Sequence, residues 1–256
     1  MRPNRLHAIW REGGYALNGW LHIHNSWSAE TMAHAGWDSI TVDLQHGFAG
    51  IESLLIMLQA ISTTDTVPMV RASWNDALQI QRMLDAGAYG VICPVVNTAE
   101  ECRRFVGACR YPPAGYRSLG PTRASVYGGS DYARHANETV VTFAMVETAE
   151  GLSNLDEILA VPGLDGVFVG PGDLGLTLVG EFGIDVHHPT VAEAIRTIGA
   201  RTRAAGKIAG IWCPSSEIAI EMKGLGYQFL TVGSDSRLLA AAARQAVAEV
   251  RRTDGY

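Results

Sequence analysis

Eight short apolar runs, each followed by a stretch with helical spacing, constrain this chain more than any other feature in it. The runs cover residues 16–23, 39–43, 67–71, 90–95, 140–146, 166–170, 207–213 and 229–233. Runs this short and this apolar suit strands buried on both faces, which is the signature of parallel pairing. Helical stretches are expected at 4–11, 28–36, 51–61, 76–86, 98–110, 152–159, 189–205, 216–225 and 236–252. Ser28 opens one of them as a cap and Gly36 stops it, while Gly87 follows the end of another. Strict strand–helix alternation predicts a single (β/α)8 barrel with a helical coat. An open, doubly wound sheet is the alternative, but the glycine-rich loops do not match a dinucleotide fingerprint. Residues 112–138 break the rhythm with Pro112-Pro113, several glycines and a mixture of arginines and tyrosines. They read as a long loop excursion, with a short helix near 132–137, serving as a lid or subunit contact. No linker interrupts the pattern, so one domain spanning 1–256 is expected.

Composition narrows the partners. At 256 residues and 47% apolar content the chain can bury a substantial core, and no run is apolar enough to cross a bilayer. The N-terminus lacks the apolar stretch of a secretory leader. A formal net charge of -6 argues against nucleic acid as the main partner. Cys93, Cys102, Cys109 and Cys213 form no C-x-x-C pair, which suits the reducing cytoplasm. Only Lys207 and Lys223 are lysines, and neither falls at the end of a strand.

In a barrel of this kind the chemistry sits where strands end. Strand two ends in Asp43-Leu-Gln-His46, strand three in Arg71, strand five in Glu147, and strand six in Gly170-Pro-Gly-Asp173. Glu147 and Asp173 are hard oxygen ligands with no cysteine beside them, a donor set for an octahedral Mg²⁺- or Mn²⁺-like ion. Gly170 to Gly172 let backbone N–H groups approach an anion, and the alternative is an ordinary strand-to-helix turn with Asp173 as the helix cap. Arg71 is positioned for an oxygen that gains negative charge, or for pairing with a core acid. His46 suits acid–base work with Asp43 fixing its tautomer, or the capping of a loop.

These residues carry a family resemblance that runs over nearly the whole chain. Ser28-Ala-Glu, Val42-Asp-Leu-Gln-His-Gly47, Val70-Arg71 with Trp74-Asn-Asp76, Leu84-Asp-Ala-Gly87, Tyr111-Pro-Pro-Ala-Gly115 with Arg117, Glu147-Thr148 and Gly170-Pro-Gly-Asp-Leu174 occur in order. The chain resembles the HpcH/HpaI-type class II pyruvate aldolases, including 4-hydroxy-2-oxoheptanedioate and 2-dehydro-3-deoxyglucarate aldolases. The resemblance implies a TIM barrel of the phosphoenolpyruvate/pyruvate-binding type that cleaves 4-hydroxy-2-oxo acids to pyruvate and an aldehyde. It implies Glu147 and Asp173 as ligands of Mg²⁺, Mn²⁺ or Co²⁺, and Arg71 on the keto oxygen. The N–H groups of Gly172 and Asp173 would take the pyruvate carboxylate, and His46 with Asp43 the proton. Trp20 and Trp212 fall where the family lines its pocket. Asp85 matches a residue that reaches into a neighbouring subunit's site, and the implied assembly is a hexamer, a trimer of dimers. Gln45 stands where many relatives carry Glu, Gly175 replaces a frequent Ser, and His22 and His24 lie outside the usual motif.

Rival chemistries remain distinguishable. A Schiff-base aldolase needs a lysine over the site. A metal-dependent hydrolase would use the His22-Ile-His24 spacing, and a silent barrel would bind ketoacids without turnover. Arg117, Arg123 and His24 are candidates for contact with the distal part of the substrate.

Overall fold

The expected runs become strands that close on themselves. In the computed structural model, which describes residues 1–48 and 50–253, the strands are β1 (Ala16–Leu21), β2 (Ser39–Asp43), β3 (Val67–Arg71), β4 (Gly90–Cys93), β5 (Val141–Met145), β6 (Gly166–Val169), β7 (Ile208–Cys213) and β8 (Phe229–Val232). All pair in parallel in the order β1 to β8, and β8 returns to β1. The chain is therefore a TIM barrel; residues 254–256 of the expected domain lie outside the described residues.

The coat begins with α1 (Arg5–Arg11), α2 (Ser26–Ala33), α3 (Ile51–Ile61), α4 (Ala77–Asp85) and α5 (Ala99–Cys109). It continues through α6 (Thr122–Gly128), α7 (Tyr132–Thr139), α8 (Ala149–Ser153) and α9 (Leu155–Leu159). The last four helices are α10 (Pro171–Val179), α11 (Pro189–Ala204), α12 (Ser216–Gly224) and α13 (Asp235–Thr253). Three expectations change. The excursion at 112–138 holds two helices, α6 and α7, because Tyr127 and Tyr132 pack on Tyr89 and give the glycine-rich segment an apolar face. The stretch 152–159 is broken at Asn154, whose backbone leaves helical geometry (φ -96°, ψ 12°) while its side-chain amide donates to the Asn97 carbonyl at 2.9 Å. The segment after β6, where the sequence spacing predicts no helix, is helical: Pro171, fixed near helical φ, starts α10 at its first turn despite Gly172 and Gly175.

Apolar residues divide between two cores. One lies between sheet and helices, and the other fills the barrel. Inside the barrel a column of rings rises from Trp10 of α1, which plugs the floor, through Phe143, Phe229 and Phe168 to Trp20. Phe143 needs the space at Gly166, where a Cβ would collide with its ring. At the seam, Asn18 donates to Thr231 Oγ1 at 2.8 Å and accepts from Ser39 and Thr41. This buried polar bridge ties β8, β1 and β2 together with its hydrogen bonds satisfied, which keeps its burial inexpensive.

Candidate active site

The column of rings ends under a cavity of about 260 Å³ at the C-terminal ends of the strands. Trp20 and His22 line it from β1 and the turn beyond, His46 from beyond β2, and Arg71 from β3. Glu147 enters beyond β5 and Asp173 in the first turn of α10. Sequence separation between these groups is large; barrel closure alone brings them together.

Asp43 organises one wall. It is in register with Arg71 on the neighbouring strand, so both side chains point the same way. Arg71 donates from Nε to Asp43 Oδ1 at 2.9 Å and from Nη2 to Oδ2. Trp20 Nε1 adds a bond to Oδ2 at 3.1 Å, and the backbone N–H groups of Gln45 and His46 donate to Oδ1. Burial opposes ionisation of Asp43. Hydrogen bonds from His22 and Arg71, the charge of Arg71 and the Gln45 N–H outweigh it and hold the carboxyl well below the usual range. Arg71 lies 4.9 Å over the Trp20 ring and is nearly buried, yet Nη1 engages no acceptor among the described residues. It is a fixed donor with capacity to spare.

The imidazole held by Asp43 is that of His22, with Nε2 2.9 Å from Oδ2. Asp43 therefore does not fix the tautomer of His46. Only the His46 backbone reaches it, and the His46 ring faces the cavity without an intramolecular bond among the described residues. Gln45 Oε1 and His24 Nε2 are buried without partners, His24 packing by Gly47 and Phe48 rather than on the cavity. His22 and His24 thus do not converge on one ion, so the zinc-hydrolase spacing is not realised.

Across the cavity, Glu147 Oε1 accepts from the Val95 N–H at 2.9 Å, while Oε2 is buried with no donor. Burial, reinforced by the charge of Asp173, pushes this carboxyl up to about 7 against the pull of the Val95 N–H and Arg71. Glycine at 170 leaves this carboxylate its place, since a Cβ there would push Glu147 Oε2 aside. No group of three histidine, cysteine, aspartate or glutamate side chains converges among the described residues. What the protein offers is an orphaned carboxylate oxygen with a second carboxylate, Asp173, on the same cavity. Two hard oxygens with open positions fit a divalent cation that keeps water or takes a chelating ligand. The N–H groups of Gly172 and Asp173 precede the first ladder bond of α10, from Leu174 to the Gly170 carbonyl, and bear the positive end of its dipole.

Several expected residues stand elsewhere. Trp212 lines the cavity, as Trp20 does. Asp85, whose expected role is in a neighbouring subunit's site, lies at the far end of α4 and pairs with Arg117 at 2.7 Å. Arg117 is buried between the Tyr111 and Tyr132 rings. Arg123 donates to the carbonyls of Ala86 and Leu58 and to Ser62 Oγ, closing the C-terminal ends of α4 and α3. Neither arginine can meet a substrate in this cavity. Lys207 donates to the Leu164 carbonyl at 2.6 Å and Lys223 covers the Tyr15 ring, both at the opposite end of the barrel. Sequence reasoning does not single out Arg237, which lines the cavity from the start of α13. It lies just past the end of strand eight, where the strand-end rule applies, but reads as one more polar helix residue.

Comparison with known proteins adds to this geometry. The sequence model of the HpcH/HpaI aldolase/citrate lyase family matches residues 18–242. A hydroxypyruvate/pyruvate aldolase of Rhizorhabdus wittichii is 43% identical over 97% of this chain and 99% of its own. A 4-hydroxy-2-oxo-heptane-1,7-dioate aldolase of Salmonella dublin is 42% identical over 88% of this chain and 86% of its own. The crystal structure of an HpcH/HpaI aldolase/citrate lyase family protein from Burkholderia cenocepacia superposes with a TM-score of 0.91 at 33% identity, covering 97% of this chain and 99% of that one.

Proposed function

The chain belongs to the HpcH/HpaI aldolase/citrate lyase family and is a carbon–carbon lyase of the aldolase kind, and on that premise we propose that it reversibly cleaves a 4-hydroxy-2-oxo acid to pyruvate and an aldehyde with a divalent cation. Glu147 and Asp173 hold the cation, which is Mg²⁺, Mn²⁺ or Co²⁺. When bound, it supplies Lewis-acid polarisation of the 2-oxo group. Arg71 donates through Nη1 to the 2-oxo oxygen, and the N–H groups of Gly172 and Asp173 receive the carboxylate. His46, directly or through a water, removes the proton of the 4-hydroxyl. The bond between C3 and C4 breaks, its electron pair moves toward C2, and negative charge grows on the oxygen facing Arg71. C4 leaves as the aldehyde carbonyl, and a proton returned to C3 from His46 or from water completes pyruvate. Trp20, Met145 and Phe168 give the cavity an apolar wall, which strengthens the pull of Arg71 on that charge.

The observation that carries this reading is the partnerless buried oxygen of Glu147, on the same cavity as Asp173 and the spare donor of Arg71. Pyruvate proton exchange in D₂O and aldol addition test it. Both are expected to vanish on chelation, to return with Mg²⁺, Mn²⁺ or Co²⁺, and to survive borohydride treatment in the presence of pyruvate. Chelator-resistant activity that borohydride destroys would overturn it.

Self-association belongs to the same reading. Helix α13 meets the barrel chiefly at β1 and exposes Leu239 at 64% and Val247 at 49%. An apolar surface of this kind supports a homo-oligomer, a hexamer by the family resemblance. The four cysteines are free and buried, in keeping with a cytoplasmic setting.

A further inference from the structure

We propose that Arg237 reads a carboxylate on the acceptor aldehyde, and so selects acidic aldehydes over neutral ones; this rests on the aldolase reading above. Arg237 lines the cavity, and its guanidinium lies 5.2 Å from the centre of the Trp212 ring. Beyond that cation–π contact it engages no hydrogen-bond acceptor or carboxylate among the described residues. The adjacent acid, Asp235, is committed elsewhere, accepting from the N–H groups of His22, Ile23 and Ser236 and from Ser28 Oγ. Arg71 is the contrasting case, with two of its nitrogens bound to Asp43.

Position fits the role. In the closed order of strands, β7 stands opposite β3, so Trp212 and the arginine resting on it face Arg71 across the cavity. With the 2-oxo end of a substrate at Arg71, Glu147 and Asp173, the far end of the molecule points toward Arg237. A cation–π contact with an indole anchors the guanidinium while leaving its N–H groups free for a carboxylate. Arg117 and Arg123, the arginines that the sequence suggests for this task, are both committed to the protein itself.

The test uses the metal-loaded full chain, pyruvate, and two acceptors of equal carbon number, 4-oxobutanoate and butanal. The readout is the ratio of kcat/KM for the acid to that for the neutral aldehyde. Arg237→Ala is expected to lower this ratio about 10- to 100-fold, the range for a lost hydrogen bond to a charged group. Arg237→Lys should restore part of it, Arg237→Glu should lower it further, and added salt should shrink the wild-type preference. A ratio unchanged in Arg237→Ala, or equal losses with both aldehydes, would overturn the proposal. Quenching of tryptophan fluorescence by glutarate reads the same contact without turnover, and Arg237→Ala should weaken it about 10-fold. If the wild type performs no aldol chemistry yet binds glutarate through Arg237, the aldolase reading fails and the anion contact stands. If it turns over both aldehydes without preference, Arg237 has no such role and the aldolase reading stands.

Discussion

His22 Nε2 stands 2.9 Å from Asp43 Oδ2, on the carboxylate that also grips Arg71. One acid therefore orients a cation and an imidazole together, and both line the cavity. Removing its charge should disturb both at once.

Asp43→Asn is expected to cost about 3–5 kcal/mol of stability, because Arg71 is left buried without its counter-charge. Activity should fall with it as Arg71 loses its fixed direction. The wild-type contribution also has a pH signature. The folded pKa of Asp43 lies below the unfolded one, so its stabilisation is in place above about pH 4 and is lost as the pH falls further. In denaturant melts the gap between the two proteins should narrow as the pH falls from 7 to 3 without closing, because the folded carboxyl stays ionised over this range.

His46→Gln should lower kcat about 10²- to 10⁴-fold, the usual range for a lost acid–base group. His22→Gln keeps a hydrogen bond within reach of Asp43 and should cost less. Rapid-quench single turnovers on a 4-hydroxy-2-oxo acid separate the two, and the opposite ranking would move the proton-transfer role to His22.

Glu147 supplies a pH dependence of the opposite sign. Its folded pKa is raised to about 7, so the metal-free protein binds this proton more tightly than the unfolded chain does. Metal-free stability from this group should therefore decline as the pH rises from about 4.5 to 7, by at most ~3 kcal/mol. Glu147→Gln should flatten that slope in melts run in chelator. The same substitution should raise the concentration of Mn²⁺ needed for half-maximal pyruvate proton exchange.

Arg123→Ala should destabilise the fold by about 1–3 kcal/mol, since the buried carbonyls of Leu58 and Ala86 lose a charged donor. Its kcat/KM should stay near wild type, because this side chain lies away from the cavity. A large selective loss with acidic aldehydes would return Arg123 to the substrate site.

Leu239→Glu places a charge on the exposed apolar face of α13 and should shift the assembly toward smaller species. Light scattering on the eluted protein reads this directly. An unchanged mass would remove this face from the interface.

The barrel was legible because eight apolar runs and their helices are spaced by a rule that few other folds satisfy. The gathering of Asp43, Arg71, Glu147 and Asp173 at one end of the barrel was legible for the same reason: strand ends are where such a fold collects its polar groups. Partnerships were not. Whether Asp43 meets His46 or His22 depends on the turn after β2, where the carboxylate caps two backbone N–H groups and leaves the His46 ring to the cavity. Helix α10 was obscured by its glycines, and α6 by a segment whose apolar face exists only against Tyr89. Arg117 and Arg123 look like loop cations in sequence and prove to be fasteners, because the carboxylate and carbonyls they meet come from elements far away in the chain.

The Asn18 bridge between β8 and β2 has a consequence for how the protein comes into being. The first strand cannot complete its bonding until the last has been synthesised, and the walls bearing His22 and Arg237 meet along that same junction. A nascent chain lacking its final thirty or so residues would hold every metal-binding and proton-moving group proposed above, yet no enclosed chamber in which to use them. Activity in this molecule should therefore switch on with ring closure as one event, with no partly competent precursor.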